Sequence, residues 1–329
     1  MEPMRVVFMG TPEYALPAFQ EVVTRSSSVL VVTRPDAPRG RGRRWAPSPV
    51  RVAAEAAGVP VITPDRWGGE TVRALSEWGP TLMVTAAYGA LLPQEALALA
   101  PLGSVNLHAS LLPRWRGANP VAWAIRRGDR VTGVSLMRME VGLDTGPVIA
   151  MAPVVVRDDD TTGTLTGRLA EAAAALLARA WPSLLGGVPG VPQGTGATRA
   201  RRFRAEEARL DPGLSADEAW RWWRSMQPQP GPYTTVGGLR IGLQGVRPRD
   251  AAVDPGAIRV EGDSWLVGLR SGSLEVSEIR PAGGRAMSPA AFLRGHPGLG
   301  LHIDPTEGPR GRLGAPRSAP LTEPTGESR

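Results

Sequence analysis

Cysteine is absent from this 329-residue chain. Disulfides, thiolate metal sites and a cysteine nucleophile are thereby excluded, and the absence fits a reducing compartment. Lysine is absent as well: all 38 basic residues are arginine. Arginine does not titrate in the useful range, so it inflates the sequence pI of about 11.0. The net charge of +7 attracts polyanions. Total replacement of lysine reads as coding bias, however, so clustered charge is the better guide. Long apolar runs are missing too. The longest, around residues 172–180, carries Arg179 and is flanked by Arg168 and Glu171. The apolar run ending at Gly10 is too short for a signal peptide core. A soluble cytoplasmic protein, not attached to a membrane and monomeric, is the expectation.

Hydrophobic residues make up 42% of the chain, enough for packed cores, and the length favours two domains. Strand and helix signals alternate through the first 190 residues. Apolar, β-branched runs predict strands over 6–9, 29–33, 59–63, 82–86, 104–107, 131–139 and 148–156. Helices are predicted from Pro17, from Ser48-Pro49 to residue 57, and over 70–78, 93–100, 120–127 and 164–185. This pattern predicts an α/β fold with an open, mostly parallel sheet covered on both faces. Residues 186–196 are rich in Gly, Pro and Val without a period and read as a linker. Ser215-Ala216-Asp217-Glu218 is a capping box, and behind it Ala219, Trp222, Trp223 and Met226 share a helical face. From Tyr233 short strands and Gly-containing turns predict a small β-barrel. The expected division is 1–187, a linker over 188–206, a second domain over 207–302 and a disordered tail over 303–329.

Histidine is scarce, with three in all. Asn106-Leu107-His108 closes a short apolar strand. Ligands of open α/β sheets bind at the carboxyl ends of strands, and alternation puts Asn106 and His108 on one side. An amide donor and a titratable imidazole can then converge on one atom. The plainer alternative is a strand-end histidine that caps a loop. Gly142-Leu143-Asp144-Thr145-Gly146 is a second constellation, whose glycines let the backbone approach a ligand. Asp144 there could orient a histidine and receive protons, or form an Asx-turn. Asp-Thr-Gly also occurs in aspartic proteases, which need two such carboxylates; no second copy exists here and the α/β pattern disagrees. Residues 34–47 hold five arginines, one carboxylate and Trp45. Such a glycine-containing, mobile loop suits phosphate contacts, although a solvated loop has the same composition. Arg199, Arg201, Arg202 and Arg204 form a second cluster. Asp158-Asp159-Asp160 suits a helix N-terminus better than a metal site, so no metal is expected. Gly10-Thr11-Pro12 lacks the dinucleotide fingerprint.

The stretch from Asn106-Leu107-His108-Ala109-Ser110-Leu111-Leu112-Pro113 to Asn119-Pro120 resembles the signature of formyltransferases that use 10-formyltetrahydrofolate. Val141-Gly142-Leu143-Asp144-Thr145-Gly146 resembles their second signature. Val7-Phe8-Met9-Gly10-Thr11-Pro12, Pro47-Ser48-Pro49, Glu206-Glu207-Ala208-Arg209-Leu210-Asp211 and residues 280–288 are similar to the members that act on initiator methionyl-tRNA. The resemblance covers residues 4–295. It implies a Rossmann-like catalytic domain, an OB-like barrel, and direct transfer by Asn106, His108 and Asp144. It implies 10-formyltetrahydrofolate as co-substrate, held by Tyr88, Gly89, Ser110, Leu111, Leu112 and Pro113. It also implies initiator tRNA contacts at Arg39, Arg41, Arg43, Arg44, Arg201, Arg202 and Arg204. The second domain departs from the family at Gln227-Pro228-Gln229-Pro230, where Asn-Pro-Trp-Pro is usual. Two other readings share part of this pattern: transfer to a sugar-nucleotide or other small amine, and a non-catalytic RNA-binding protein on the same fold.

Overall fold

The computed structural model describes residues 4–39 and 44–305. In chain order its elements are β1 (Arg5–Gly10), α1 (Leu16–Arg25), β2 (Ser28–Val32), β3 (Ala37–Arg39), β4 (Arg44–Ala46), α2 (Pro49–Ala56), β5 (Val61–Ile62), α3 (Gly69–Trp78), β6 (Leu82–Ala86), α4 (Gln94–Leu97), β7 (Ser104–His108), α5 (Pro120–Arg127), β8 (Val131–Arg138), β9 (Val148–Val155) and α6 (Thr162–Leu185). Beyond them lie α7 (Ala216–Ser225), β10 (Tyr233–Val236), β11 (Leu239–Arg249), β12 (Ile258–Glu261), β13 (Ser264–Gly268), β14 (Ser273–Pro281) and α8 (Pro289–Arg294).

Seven strands form the first sheet in the order β5-β2-β1-β6-β7-β8-β9. The first five run parallel, and β8 and β9 add antiparallel pairs at one edge. Alternation along β1 shows why both faces must be covered. Val6 and Phe8 enter a core with α1, α2, α5 and α6, while Val7 and Met9 enter another with Leu75 of α3 and Ala96 of α4. Each such fully buried side chain contributes roughly 1.5–3 kcal/mol. This is the Rossmann-like α/β sheet that the strand–helix alternation predicts. Local signals worked where chemistry is local: Ser48 accepts from the Arg51 amide at 3.0 Å with Pro49 at the helix start, and Ser215 and Glu218 form the expected capping box.

The second sheet is antiparallel, in the order β10-β11-β14-β13-β12, and curls into an OB-like half-barrel. Its core takes Ala219 and Trp222 from α7 and Met226 just beyond it, with Trp223 only partly buried. The two units are joined closely. Thr162 donates to the Ser225 carbonyl at 2.9 Å, and the Gly163 amide donates to the Gln227 carbonyl at 3.1 Å. Arg224, buried, donates to the carbonyls of Arg157 and Asp160.

Three segments carry more order than their composition suggests. The arginine-rich segment is not irregular on its flanks: β3 and β4 pair as a short antiparallel ladder. That ladder encloses Gly40–Arg43, where Arg41 and Arg43 lie outside the described residues. The expected linker is an ordered strap. Val148 and Val191 exchange two backbone hydrogen bonds, and a bridge joins Arg116 to Arg199. Finally, Ile303 does not begin a disordered tail. It is buried in the second core, and the Asp304 carboxylate accepts from the amides of Gly237 and Gly238 at 2.8 Å; the rest of that stretch, 306–329, lies outside the described residues.

Candidate active site

Val105 and Leu107 of β7 enter the first core, so Asn106 and His108 share the opposite face of the strand. His108 is buried, whereas Asn106 is half-buried. The Asn106 amide has no hydrogen-bond partner among the described residues. His108 Nε2 lies 2.9 Å from the Trp115 carbonyl oxygen. A carbonyl can only accept, so Nε2 carries the proton and Nδ1 is the ring's open position. Nδ1 stands 3.6 Å from Asp144 Oδ2, near enough for charge but beyond hydrogen-bond range. A neutral His108 in this tautomer has no donor left to offer an oxyanion. Of the donor and base roles open to an imidazole, this tautomer leaves the base at Nδ1.

The Asp144 turn is held from several sides. Asp144 adopts φ +54°, in the left-handed region that Asp tolerates better than most residues. Its Oδ2 accepts from the Gly117 amide at 2.8 Å. Gly117 itself has φ +115°, and a Cβ there would lie 2.9 Å from the Ala200 carbonyl oxygen. The wall between His108 and Gly117 is equally constrained. Ser110 Oγ donates to the Arg114 carbonyl at 2.6 Å, Ser135 Oγ donates to the Ser110 carbonyl at 2.7 Å, and the Leu112 amide donates to Ser135 Oγ at 3.0 Å. Trp115 Nε1 and the Arg114 guanidinium both donate to Asp129.

The expected folate residues divide by orientation. Ser110 and Leu112 are buried and shape the wall from within, while Leu111 and Pro113 are half-buried. Tyr88 is buried beside Trp67, with ring centroids 6.2 Å apart. Burial pushes its phenol above the ordinary value, and the nearby Arg34 charge acts the other way. Gly89 is exposed at φ +87°, with no neighbour crowding a Cβ position. Exposed Leu91, Val141 and Leu143 lie on the same loops as Tyr88 and Asp144. Apolar side chains there suit a flat aromatic ligand with polar edges.

The arginines differ in freedom. Arg44 is exposed, and Trp45 beside it is 74% exposed; Arg39 contributes backbone to β3. Arg202 and Arg204 are exposed. Arg201 is committed: it pairs with Glu207 at 2.7 Å and lies 5.5 Å from the Trp123 ring centre. Glu207 is held below the usual carboxylate range; burial pushes it up, but the Arg201 hydrogen bonds and the Arg204 amide outweigh that. The acidic run precedes α6, whose N-cap is Thr161, and Asp160 accepts from the Arg157 amide, Thr164 and Arg168. Among the described residues no group of three His, Asp or Glu side chains could hold a metal ion.

Sequence reasoning missed Gln193, which joins the Asp144 turn to the Arg116 side chain. No periodicity marks it, and its partners are distant in sequence.

Two family models match the chain: formyl transferase over residues 4–181, and formyl transferase, C-terminal domain, over residues 202–297. The chain is 43% identical over 295 residues to a methionyl-tRNA formyltransferase of Thermus thermophilus, covering 89% of this chain and 96% of that one. It is 43% identical over 314 residues to the enzyme of that name from Acidothermus cellulolyticus, covering 89% and 97%. Among solved structures, an N-formyltransferase from Helicobacter canadensis with folinic acid and dTDP-3-aminofucose superposes with a TM-score of 0.65 at 13% identity, covering 83% of this chain and 98% of that one. HypX from Aquifex aeolicus, solved with tetrahydrofolic acid, gives 0.63 at 19% identity over 89% of this chain, which spans 47% of HypX. At these identities the structures share the fold.

Proposed function

The chain belongs to the formyltransferase family, and from that premise we propose that it transfers the formyl group of 10-formyltetrahydrofolate to the α-amine of initiator methionyl-tRNA. The observation that carries the reading is a half-buried Asn106 amide, unpartnered among the described residues, beside a His108 whose open Nδ1 faces Asp144. Near full-length identity to methionyl-tRNA formyltransferases supports the acceptor.

The amine nitrogen attacks the formyl carbon, and the C–N10 bond of the donor breaks. Asn106 donates to the developing oxyanion, a contribution of about 3–4 kcal/mol for a well-placed donor. His108 Nδ1 takes the proton that the amine loses and returns it toward N10. Asp144 stabilises the imidazolium formed in between. The Trp115 carbonyl keeps the ring in the tautomer this requires. The co-substrate supplies the activated formyl group; the wall from Ser110 to Pro113 and the Tyr88-Gly89 turn bound the space it would occupy. The arginines at 39, 41, 43 and 44, with Arg202 and Arg204, hold the tRNA backbone, and Arg201 braces that surface. The proposal takes the enzyme as a cytoplasmic monomer; no described helix is long and apolar enough to cross a membrane.

Incubation with labelled 10-formyltetrahydrofolate and charged initiator tRNA tests the proposal. Label on the aminoacyl group is expected; label appearing only on small amines would overturn the acceptor.

A further inference from the structure

Residues 191–200 lie between the stretches matched by the two family models, 4–181 and 202–297, yet they form part of the wall around the candidate site. The Val191 amide and carbonyl pair with Val148, just beyond the Asp144 turn. Thr198 Oγ1 accepts from the Trp115 amide at 2.9 Å, and the Thr198 carbonyl accepts from the Arg116 amide at the same distance. The Ala200 amide returns a bond to the Arg116 carbonyl at 2.7 Å.

Gln193 is the one side chain in this strap that reaches both loops of the site. Its Nε2 donates to the Asp144 carbonyl at 2.9 Å and to the Gly146 carbonyl at 2.8 Å. Its Oε1 accepts from Arg116 Nε at 3.0 Å and Arg116 Nη2 at 2.7 Å. Arg116 precedes Gly117, whose amide holds the Asp144 carboxylate. The carbonyls on either side of Thr145 are thus fixed by one amide group, while the same residue anchors the loop that grips the Asp144 side chain. A left-handed Asp needs such bracing, because this backbone region is sparsely populated outside glycine. We propose that Gln193 is a positioning residue for the transfer reaction, setting Asp144 against His108 Nδ1 through the Asp144 and Gly146 carbonyls. This rests on the assignment of Asp144 to the chemistry.

The test uses the full chain with 10-formyltetrahydrofolate and methionyl-initiator tRNA. Gln193→Ala is expected to lower kcat at least tenfold on general grounds of misplaced catalytic groups, with both KM values within about twofold of wild type. Gln193→Glu keeps an acceptor for Arg116 but cannot donate to the two carbonyls. Its melting temperature should return toward wild type while kcat stays low. A wild-type kcat in either variant would overturn the inference. So would loss of the folded state in both, since the side chain would then serve the fold and not Asp144. Wild-type protein that formylates some other amine but not methionyl-tRNA would overturn the acceptor alone, and the same two variants would be compared on that amine.

Discussion

The wall around Asp144 and the ladder of β3 and β4, proposed here for the reaction and for tRNA contact, are built in opposite ways. In the wall nearly every polar group is spoken for. Arg114 is taken by Asp129, Arg116 by Gln193, and Arg138 by the carbonyls of Leu102 and Val188. In the hairpin two three-residue strands hold mainly each other, and they present exposed Arg44 and Trp45 to solvent. A reaction needs groups fixed within a fraction of an ångström, whereas phosphate contacts need charge that can follow a backbone. Arginine serves both regions, so a count of arginines says nothing about which are available.

Separate losses would establish that contrast. The largest is expected from Asn106→Asp, which replaces the donor with an acceptor. Turnover should fall at least 100- to 1000-fold, with tRNA binding and the far-ultraviolet circular dichroism spectrum unchanged; near-normal transfer would remove Asn106 from the mechanism. Deleting residues 39–44 should do the reverse. Loss of four arginines should weaken tRNA use on the order of 100-fold, and added salt should reproduce the effect on the intact protein. If KM for tRNA barely moves, the hairpin is not the RNA contact. Asp129→Ala strips the Trp115 indole of its acceptor. It should cost about 1–3 kcal/mol of stability and lower kcat several-fold, as the carbonyl that fixes His108 loosens; a kcat change without a melting change would contradict this route. The smallest effect concerns Arg126, whose guanidinium burial pushes down to about 10. That value lies below that of an unfolded chain, so the cost of the buried charge is fully present below pH 10 and fades as pH rises above it. Arg126→Met should therefore raise stability at neutral pH by about 1–2 kcal/mol, read as a higher melting temperature with unchanged kinetics. A lower melting temperature would show that the ring of Glu207, Asp211 and Glu218 charges around it outweighs desolvation.

The sequence made the sheet legible because each strand declares itself in a short run of neighbouring residues, and helix starts at Ser48 and Ser215 are equally local. Asn106 and His108 are legible as a pair through strand alternation and Asp144 through its flanking glycines, while their grouping as one set comes from the family resemblance. What escaped depends on partners far along the chain. The histidine tautomer follows from a carbonyl at Trp115, a non-glycine residue at φ +62°. The order in residues 191–200 follows from bonds to Val148 and Arg116, which leave no period. Ile303 looked like the head of a polar tail because its burial depends on Gly256, whose carbonyl accepts its amide at 2.8 Å.

The strap also bears on how such a protein could be recombined. A chimera that joins this α/β unit to another half-barrel at residue 187 would discard Gln193, Thr198 and Ala200, and with them the outer support of the reacting loops. A junction placed after Ala200 keeps that support with the chemistry it serves. Exchange of modules at the visually obvious seam would thus give a folded but slow enzyme, while exchange thirteen residues later, by the difference between 187 and 200, would preserve turnover.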